Sequence, residues 1–174
     1  MSVTALAPQT IKGFRIEPAT ERDAALILRL IKGLAEYEKL AHEVRATEDA
    51  LRMSLFGEWP AAEVVIAHHE SEPVGFALFF HNYSTFLSQR GLYLEDLFVL
   101  PEWRGRGAGR ALLIYLARLA KERGCGRLEW TVLDWNAPAI RFYQSLGAEA
   151  MDGWTINRLT GDALSRLAGV ESAA

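Results

Sequence analysis

One stretch, Leu92 to Leu113, restricts the possible folds of this chain more than any other. It combines an apolar run of strand length, Tyr93 to Leu100, with a glycine- and arginine-rich turn and a helix-forming run that begins at Arg110. Pro101 cannot donate a hydrogen bond to a sheet, so the strand should end there. Glycines allow a backbone to approach a ligand closely, and the unpaired amides of a helix's first turn attract anions. The stretch therefore predicts a phosphate-binding turn between a strand and a helix.

The spacing of the glycines distinguishes this turn from other phosphate loops. A P-loop has Lys followed by Ser or Thr after its last glycine, whereas Arg110 and then alanine follow Gly109 here. In the dinucleotide-binding pattern the third glycine would come one residue later. The turn instead resembles the coenzyme A loop of the GNAT acetyltransferases, whose pattern is matched by Arg104, Gly107 and Gly109. A solvated glycine-rich connection without a ligand is the alternative interpretation of the loop alone.

A second stretch, Asn136 to Gly147, resembles the other coenzyme motif of the same family. In that motif the asparagine contacts the coenzyme, and the last tyrosine, here Tyr143, faces its sulfur atom. A phenol with a pKa of about 10 is a suitable general acid for a leaving thiolate. Since adjacent helical residues diverge, we assign Tyr143 to catalysis and Phe142 to packing; the alternative is that both are core aromatics. The two motifs together imply acetyl-CoA as cosubstrate, with these contacts: Leu97, Phe98, Val99, Arg104, Gly105, Arg106, Gly107, Ala108, Gly109, Arg110, Asn136 and Tyr143.

Two carboxylates, Glu95 and Asp96, interrupt the apolar strand before the turn. In a regular strand they would point to opposite faces, and buried carboxylates are unfavourable unless they are paired or used. A salt bridge to a neighbouring helix is one interpretation. The other is that one carboxylate, with Glu95 preferred, attracts an amine and helps to remove its proton. Backbone amides of Leu97 to Val99 can polarise a thioester carbonyl in the same region if the strand has lost its neighbour.

Further segments resemble the diamine and polyamine acetyltransferases of this family, which include spermidine/spermine-type and thialysine-type enzymes. Examples are Arg15 to Thr20, Leu34 to Glu38 and Trp135 to Pro138. The resemblance implies a homodimer and places the following residues at the amine: Tyr37, Glu38, Glu95, Asp96 and Asp152. We expect direct attack of the amine on acetyl-CoA, without a covalent acyl-enzyme. A protein N-terminal or lysine acetyltransferase and a non-catalytic acyl-CoA-binding sensor are the alternatives.

Length and composition limit the possible classes of protein. The 174 residues predict a single domain, which the resemblance identifies as an acetyltransferase domain at 14–168, with a disordered tail at 1–13 and a frayed end at 169–174. A net charge of −3 argues against nucleic acid as a partner and suits a cationic small-molecule amine. No membrane-length apolar run or signal pattern is present, so we expect a cytoplasmic protein without a membrane partner. Cys125 is the only cysteine and the histidines lack metal-ligand spacing, so we expect no metal.

Hydrophobic periodicity and turn signals predict the remaining elements. Strands are predicted at residues 14–18, 63–69, 74–83, 92–100 and 127–133, and a last strand or hairpin is predicted at residues 149–159. Helices are predicted at residues 20–38, 47–57, 110–123, 137–146 and 160–168. The alternation alone indicates an α/β or α+β protein. The resemblance implies the GNAT acyl-CoA N-acyltransferase fold, in which a mixed, mostly antiparallel sheet is splayed at its central strand and flanked by helices.

Overall fold

A computed structural model describes residues 5–170, which form six strands and five α-helices. The strands are β1 (Gln9–Ile11), β2 (Phe14–Pro18), β3 (Glu63–His69), β4 (Glu72–Ser84), β5 (Gln89–Val99) and β6 (Arg127–Trp130). The helices are α1 (Ala24–Tyr37), α2 (Glu48–Phe56), α3 (Ala108–Glu122), α4 (Ala137–Gln144) and α5 (Gly161–Ala168). The chain divides into two compact units, of which the first ends at Thr131 and the second begins at Val132. None of the helices in the described range is long and apolar enough to cross a bilayer.

The first unit is built on one sheet whose six strands lie in chain order. The strands from β1 to β5 pair antiparallel, and β6 pairs parallel to β5. β6 pairs only with residues 91–94 of β5, so within the described chain residues 95–99 have no sheet partner on that side. This mixed, mostly antiparallel sheet, flanked by helices and open beside β5, confirms the predicted fold class.

One face of the sheet is covered by α1 and α2. Ile27 and Leu30 recur at helical spacing on α1, and both are almost fully buried. They belong to a core cluster that consists of Ile27, Leu30, Leu55, Val64, Ile66, Phe76 and Phe98. Gly33 permits a close approach of α1 to β5, because a Cβ at this position would lie 2.9 Å from the ring of Phe98. The last turns of α1 are therefore held against the end of β5.

The other face of the sheet is covered by α3. Val65 and Ala77 alternate with the core residues of the α1 face, yet they are also fully buried, so both faces of the sheet are covered. α3 contacts all six strands. At its carboxyl end Arg123 donates two hydrogen bonds to Glu63 of β3, at 2.5 and 2.7 Å, and the arginine side chain is only 2% exposed. This bidentate pair fixes one end of α3 on the sheet and thereby the position of its amino end.

The predicted disordered tail at residues 1–13 is wrong for its last part, because Gln9–Ile11 forms β1. A turn at Lys12 and Gly13, both with positive φ, folds β1 back onto β2. Ile11 is 4% exposed, and the hydroxyl of Tyr115 donates to the carbonyl of Ala7 at 3.0 Å. Sheet pairing and a buried isoleucine thus order a segment whose short sequence carries little periodicity. Residues 1–4 lie outside the described chain.

The carboxyl-terminal part also departs from expectation. The strand or hairpin predicted at residues 149–159 is not formed, and β6 ends at Trp130 rather than at residue 133. A turn at Asp152 and Gly153 interrupts the alternating pattern, and Trp154 is 76% exposed instead of facing a core. A strand requires a hydrogen-bonding neighbour, and none pairs with this segment among residues 5–170. The single domain at 14–168 stays a prediction, and residues 171–174 of the predicted frayed end lie outside the described range.

The close pairing of β4 and β5 yields a stability prediction at Gly75. A Cβ at Gly75 would lie 2.5 Å from the carbonyl oxygen of Phe98 and 3.1 Å from the Cα of Val99. Gly75→Ala should push the two strands apart and destabilise the protein by roughly 1–3 kcal/mol, measured by urea unfolding. Gly153→Ala is the matched control, because a Cβ there meets nothing within 4 Å, and its effect should remain within about 0.5 kcal/mol. Equal free energies of unfolding for the two variants would contradict the close approach.

Candidate active site

A β-bulge lies at the centre of the predicted site. Phe79 of β4 pairs with Leu94, and the preceding residue of β4, Leu78, pairs with Asp96, so Glu95 is the extra residue. In a regular strand Leu94 and Asp96 would share a face, whereas here they lie on opposite faces because each shares the face of its partner. The expected alternation of Glu95 and Asp96 therefore does not apply. Leu78 packs on the α1 core cluster, so Asp96 also belongs to the α1 face.

The bulge places three carboxylates near one another. Burial, followed by the negative charges of Glu95 and Glu38, raises the pKa of Asp96 to about 6. Glu38 is the C-cap of α1, and burial raises the pKa of its carboxyl as well. Neither Glu95 nor Asp96 forms a salt bridge within residues 5–170, which removes the interpretation of the pair as a structural ion pair. No set of three or more acidic, His or Cys side chains in the described chain fits a metal ion. These carboxylates, termed the acidic group (Glu38, Glu95 and Asp96), create a negative potential that attracts a cation.

Arg104 links the predicted coenzyme turn to the end of α1. Its guanidinium carbon lies 4.3 Å from the centre of the Tyr37 ring and 5.5 Å from the centre of the Phe98 ring. Its Nε donates to the carbonyl of Val99 at 3.0 Å. A guanidinium over an aromatic face is an attractive arrangement, so Tyr37 and Arg104 hold each other in place. The predicted amine residues Tyr37 and Glu38 thus adjoin the coenzyme turn.

The turn ends at the amino end of α3 with features that fit a phosphate. Gly105 and Gly107 have φ angles of +72° and +100°, a region that favours glycine. Gly107 is the N-cap of α3 and provides no side-chain cap, so no cap side chain competes for the first amides, at Ala108 and Gly109. Arg104, Arg106 and Arg110 add positive charge, and the Arg106 guanidinium lies 4.9 Å from the ring centre of Trp103. Backbone amides with guanidinium groups are a donor set that suits the phosphates of acetyl-CoA.

The strand residues predicted to contact the coenzyme, Leu97 to Val99, differ in how far they are buried. Phe98 is 3% exposed and belongs to the core cluster, and it pairs with Phe76 of β4. Leu97 and Val99 are partly buried. All three lie on the stretch of β5 that extends beyond β6, where the backbone edge faces no other strand of the described sheet. This edge is suited to hydrogen bonds with an extended, amide-containing ligand.

The second unit carries the other predicted residues. The side chain of Asn136 accepts from the amide of Ala139 at 3.3 Å and caps α4. The ring of Tyr143 lies 5.3 Å from that of Phe142, and both residues are partly buried. Asp152 is exposed in a turn. The coenzyme role of Asn136, the acid role of Tyr143 and the amine role of Asp152 stay predictions.

Sequence reasoning missed two features of the first unit. The bulge at Glu95 leaves no mark in the alternation of strand residues, since it depends on the register with β4. A groove of about 530 Å³ runs along α1 to Leu100 and Pro101, with Arg29 and Lys32 in its lining. In the sequence these two cations look like an ordinary solvated helix face. Only the packing of α1 on β5 shows that they face a cavity.

Comparisons with known proteins agree with this geometry. The acetyltransferase (GNAT) family pattern matches residues 31–148. The thialysine N-epsilon-acetyltransferase of Mus musculus is 41% identical over 166 residues, which cover 89% of this chain and 97% of that protein. The L-ornithine N5-acetyltransferase NATA1 of Arabidopsis thaliana is 34% identical, with 88% of this chain and 87% of that protein covered. An integron cassette protein from the mobile metagenome of V. cholerae has a similar structure, with a TM-score of 0.76, 27% identity and coverage of 90% and 98% of the two chains.

The family pattern spans more than half of the chain and includes the acidic group, the glycine-rich turn and α4. The first two relatives are more than 30% identical over nearly their whole length. The prediction of an acetyltransferase is confirmed, and this chain belongs to the acetyltransferase (GNAT) family.

Proposed function

We propose that the protein transfers an acetyl group from acetyl-CoA to a primary amine of a small cationic substrate, either a diamine or polyamine or a thialysine-like amino acid. The acidic group carries this proposal, because three neighbouring carboxylates with no salt bridge to Glu95 or Asp96 attract a cation. Relatives named for the acetylation of thialysine and of ornithine support a small amine.

Acetyl-CoA supplies the acetyl group as an activated thioester. Its phosphates would be held by the amides at the start of α3 and by the arginines of the turn. Its extended arm would follow the free edge of β5 at Leu97 and Val99, with the reacting carbonyl near the bulge. Backbone amides of a strand without a neighbour are fixed donors, and fixed donors aimed at developing negative charge stabilise a transition state.

The proposed reaction needs one proton removed and one proton supplied. The amine loses a proton to Glu95, directly or through water, and forms the new carbon–nitrogen bond. The carbon–sulfur bond breaks, and the departing thiolate receives a proton from Tyr143. The family motif that ends at Tyr143 supports the second assignment, and the exposed position of Glu95 at the bulge supports the first.

Direct attack by the amine is supported by the position of the only cysteine. Cys125 is buried after the carboxyl end of α3, and burial raises the pKa of its thiol. A nucleophilic cysteine must be a thiolate, which such an environment disfavours. Moreover α3 has 15 residues and a length of about 22 Å, so Cys125 is far from the glycine-rich turn at its other end. A covalent intermediate on this cysteine is therefore excluded from the proposal.

Two further expectations from the sequence belong to this proposal. A cytoplasmic location is consistent with acetyl-CoA as an intracellular metabolite. A homodimer is consistent with the apolar side chains that α5 leaves exposed, Leu164 at 52% and Leu167 at 73%. Exposed leucines on one short helix are typical of a surface that a partner covers.

The experiment that tests the function is thiol release from acetyl-CoA with a panel of amines. Thialysine, ornithine, short diamines and polyamines should give turnover, whereas amino-acid amides without a second cationic group should give little. Turnover with peptides alone would indicate a protein acetyltransferase. Binding of acetyl-CoA without turnover on any amine would contradict catalysis and indicate an acyl-CoA sensor.

Glu38→Gln separates recognition of the distal charge from catalysis. Glu38 lies at the end of α1, so it is placed to bind the cationic group that does not react. The variant should raise the Michaelis constant for a diamine by roughly two- to fivefold, the range of a partly exposed ion pair, with little change in kcat. A monoamine of equal length should be unaffected. Glu43→Gln, an exposed carboxylate on the next turn, is the matched control for net charge. An equal effect of Glu38→Gln on both amines would refute the assignment.

Asp96→Asn should stabilise the protein while it impairs activity. In the folded protein the pKa of Asp96 is raised from 3.8 to about 6, so ionisation disfavours folding and stability is lost as the pH rises through this interval. At pH 7.5 the variant should gain roughly 2–3 kcal/mol in the free energy of unfolding, and at pH 4 the gain should vanish. The parent's kcat/KM for the amine should rise as the pH passes about 6, and the variant should lack this rise.

Urea unfolding at both pH values and kcat/KM profiles measure these effects. Glu58→Gln, an exposed carboxylate outside the acidic group, should change neither quantity. A variant of Asp96 that is less stable than the parent at pH 7.5 would show that a structural partner holds this carboxylate.

A further inference from the structure

The groove along α1 is a cavity whose lining includes neither the acidic group nor the glycine-rich turn. Arg29, Lys32 and Glu36 lie three and four residues apart, so they share one flank of α1. Phe98, Leu100 and Pro101 form the facing wall, and the groove has a volume of about 530 Å³. Gly33 brings the helix and the strand together at its base. The groove is thus a channel between a charged helix flank and an apolar strand end.

The lining of the groove combines positive charge with apolar surface. Arg29 and Lys32 are exposed, and neither has an ion-pair partner in residues 5–170. Glu36 is the one carboxylate in the lining and lies at the end nearer to the acidic group. Leu28 and Leu100 provide apolar contacts. Such a lining is complementary to a ligand that carries both phosphates and an apolar chain.

The chain itself connects this groove to the glycine-rich turn. Leu100 and Pro101 line the groove, and Arg104 to Gly107 follow within six residues. Phe98 lines the groove from β5, in the stretch whose free edge is proposed for the coenzyme arm. The segment that leads to the glycine-rich turn therefore begins at one wall of the groove.

We propose that the groove is part of the acetyl-CoA site and that Arg29 and Lys32 bind phosphate groups of the coenzyme. The inference rests on the proposed function and adds two coenzyme-binding residues from α1, outside both sequence motifs. It also assigns coenzyme binding to the outer flank of α1, whose inner face packs in the core and whose carboxyl end carries Glu38.

The test is calorimetric binding of coenzyme A to the double variant Arg29→Gln, Lys32→Gln. The affinity should fall roughly 3- to 10-fold, the range of two partly exposed charge contacts, and its dependence on salt should weaken. Arg22→Gln with Arg45→Gln is the matched control, because it removes two exposed cations of the same unit that lie outside the groove. Gly107→Val shows how much affinity is lost when the glycine-rich turn is disrupted. Gly124→Val is its control, because it places the same side chain at another glycine with positive φ, +67°, at the other end of α3.

Each result has one interpretation. Parent-like affinity of the Arg29, Lys32 double variant, with clear loss in Gly107→Val, would overturn this inference and leave the proposed function intact. A parent protein that binds neither coenzyme A nor acetyl-CoA would overturn the proposed function. Binding of coenzyme A that lacks its 3′-phosphate identifies which phosphate the cations contact. If the double variant loses less affinity for this analogue than for coenzyme A, the cations bind the 3′-phosphate. If it loses the same affinity for both, they bind the pyrophosphate. Both results support the inference.

Discussion

The site depends on one feature of the sheet: β6 ends beside the middle of β5 and leaves the second half of β5 without a neighbour on that side of the described sheet. Backbone groups in a folded protein need hydrogen-bond partners, and residues 95–99 of β5 have only β4 within the described sheet. One of these groups, the Val99 carbonyl, is satisfied by Arg104. The groups that face away from β4, at Leu97 and Val99, are the ones proposed for a ligand that lies along a strand edge. The glycine-rich turn follows at once, so the same interruption supplies both a strand edge and a helix start for one extended molecule.

The bulge converts this opening into an electrostatic site. It shifts Asp96 to the face of α1, where burial and two further carboxylates oppose its ionisation. A carboxyl whose pKa is raised in this way reduces the stability of the folded protein at neutral pH. A cation bound beside it would favour the ionised carboxylate and would restore that stability. Glycine at position 75 is part of the same arrangement, because it allows β4 to lie directly against the backbone of β5. The stability lost at the acidic group and the proposed substrate recognition have one physical cause.

Sequence reasoning predicted the parts of this fold that depend on local signals. The glycine spacing located the turn, and helical periodicity located α1 and α3, because each depends on neighbouring residues alone. β1 and the absent strand at 149–159 depend on whether a partner strand is present, which periodicity does not encode. The members of the acidic group were predicted individually, but the face of Asp96 was not, since a bulge is a property of two strands. Arg29 and Lys32 had no signal, because a cavity on a helix flank appears only after packing.

α1 carries negative charge at its carboxyl end and positive charge along its outer flank. Its carboxyl end presents Glu38 beside Asp96, whereas its outer flank presents Arg29 and Lys32. A cationic amine is repelled from the flank and an anionic coenzyme from the end, so each ligand is disfavoured in the position of the other. Arg104 lies at the junction, and its contact with the Tyr37 ring places a cation between the two regions. Because α1 packs closely against β5 at Gly33, the packing of the helix sets this separation of charge. In the proposed function, the order of charges along one helix would favour the coenzyme at the flank and the amine at the carboxyl end of α1.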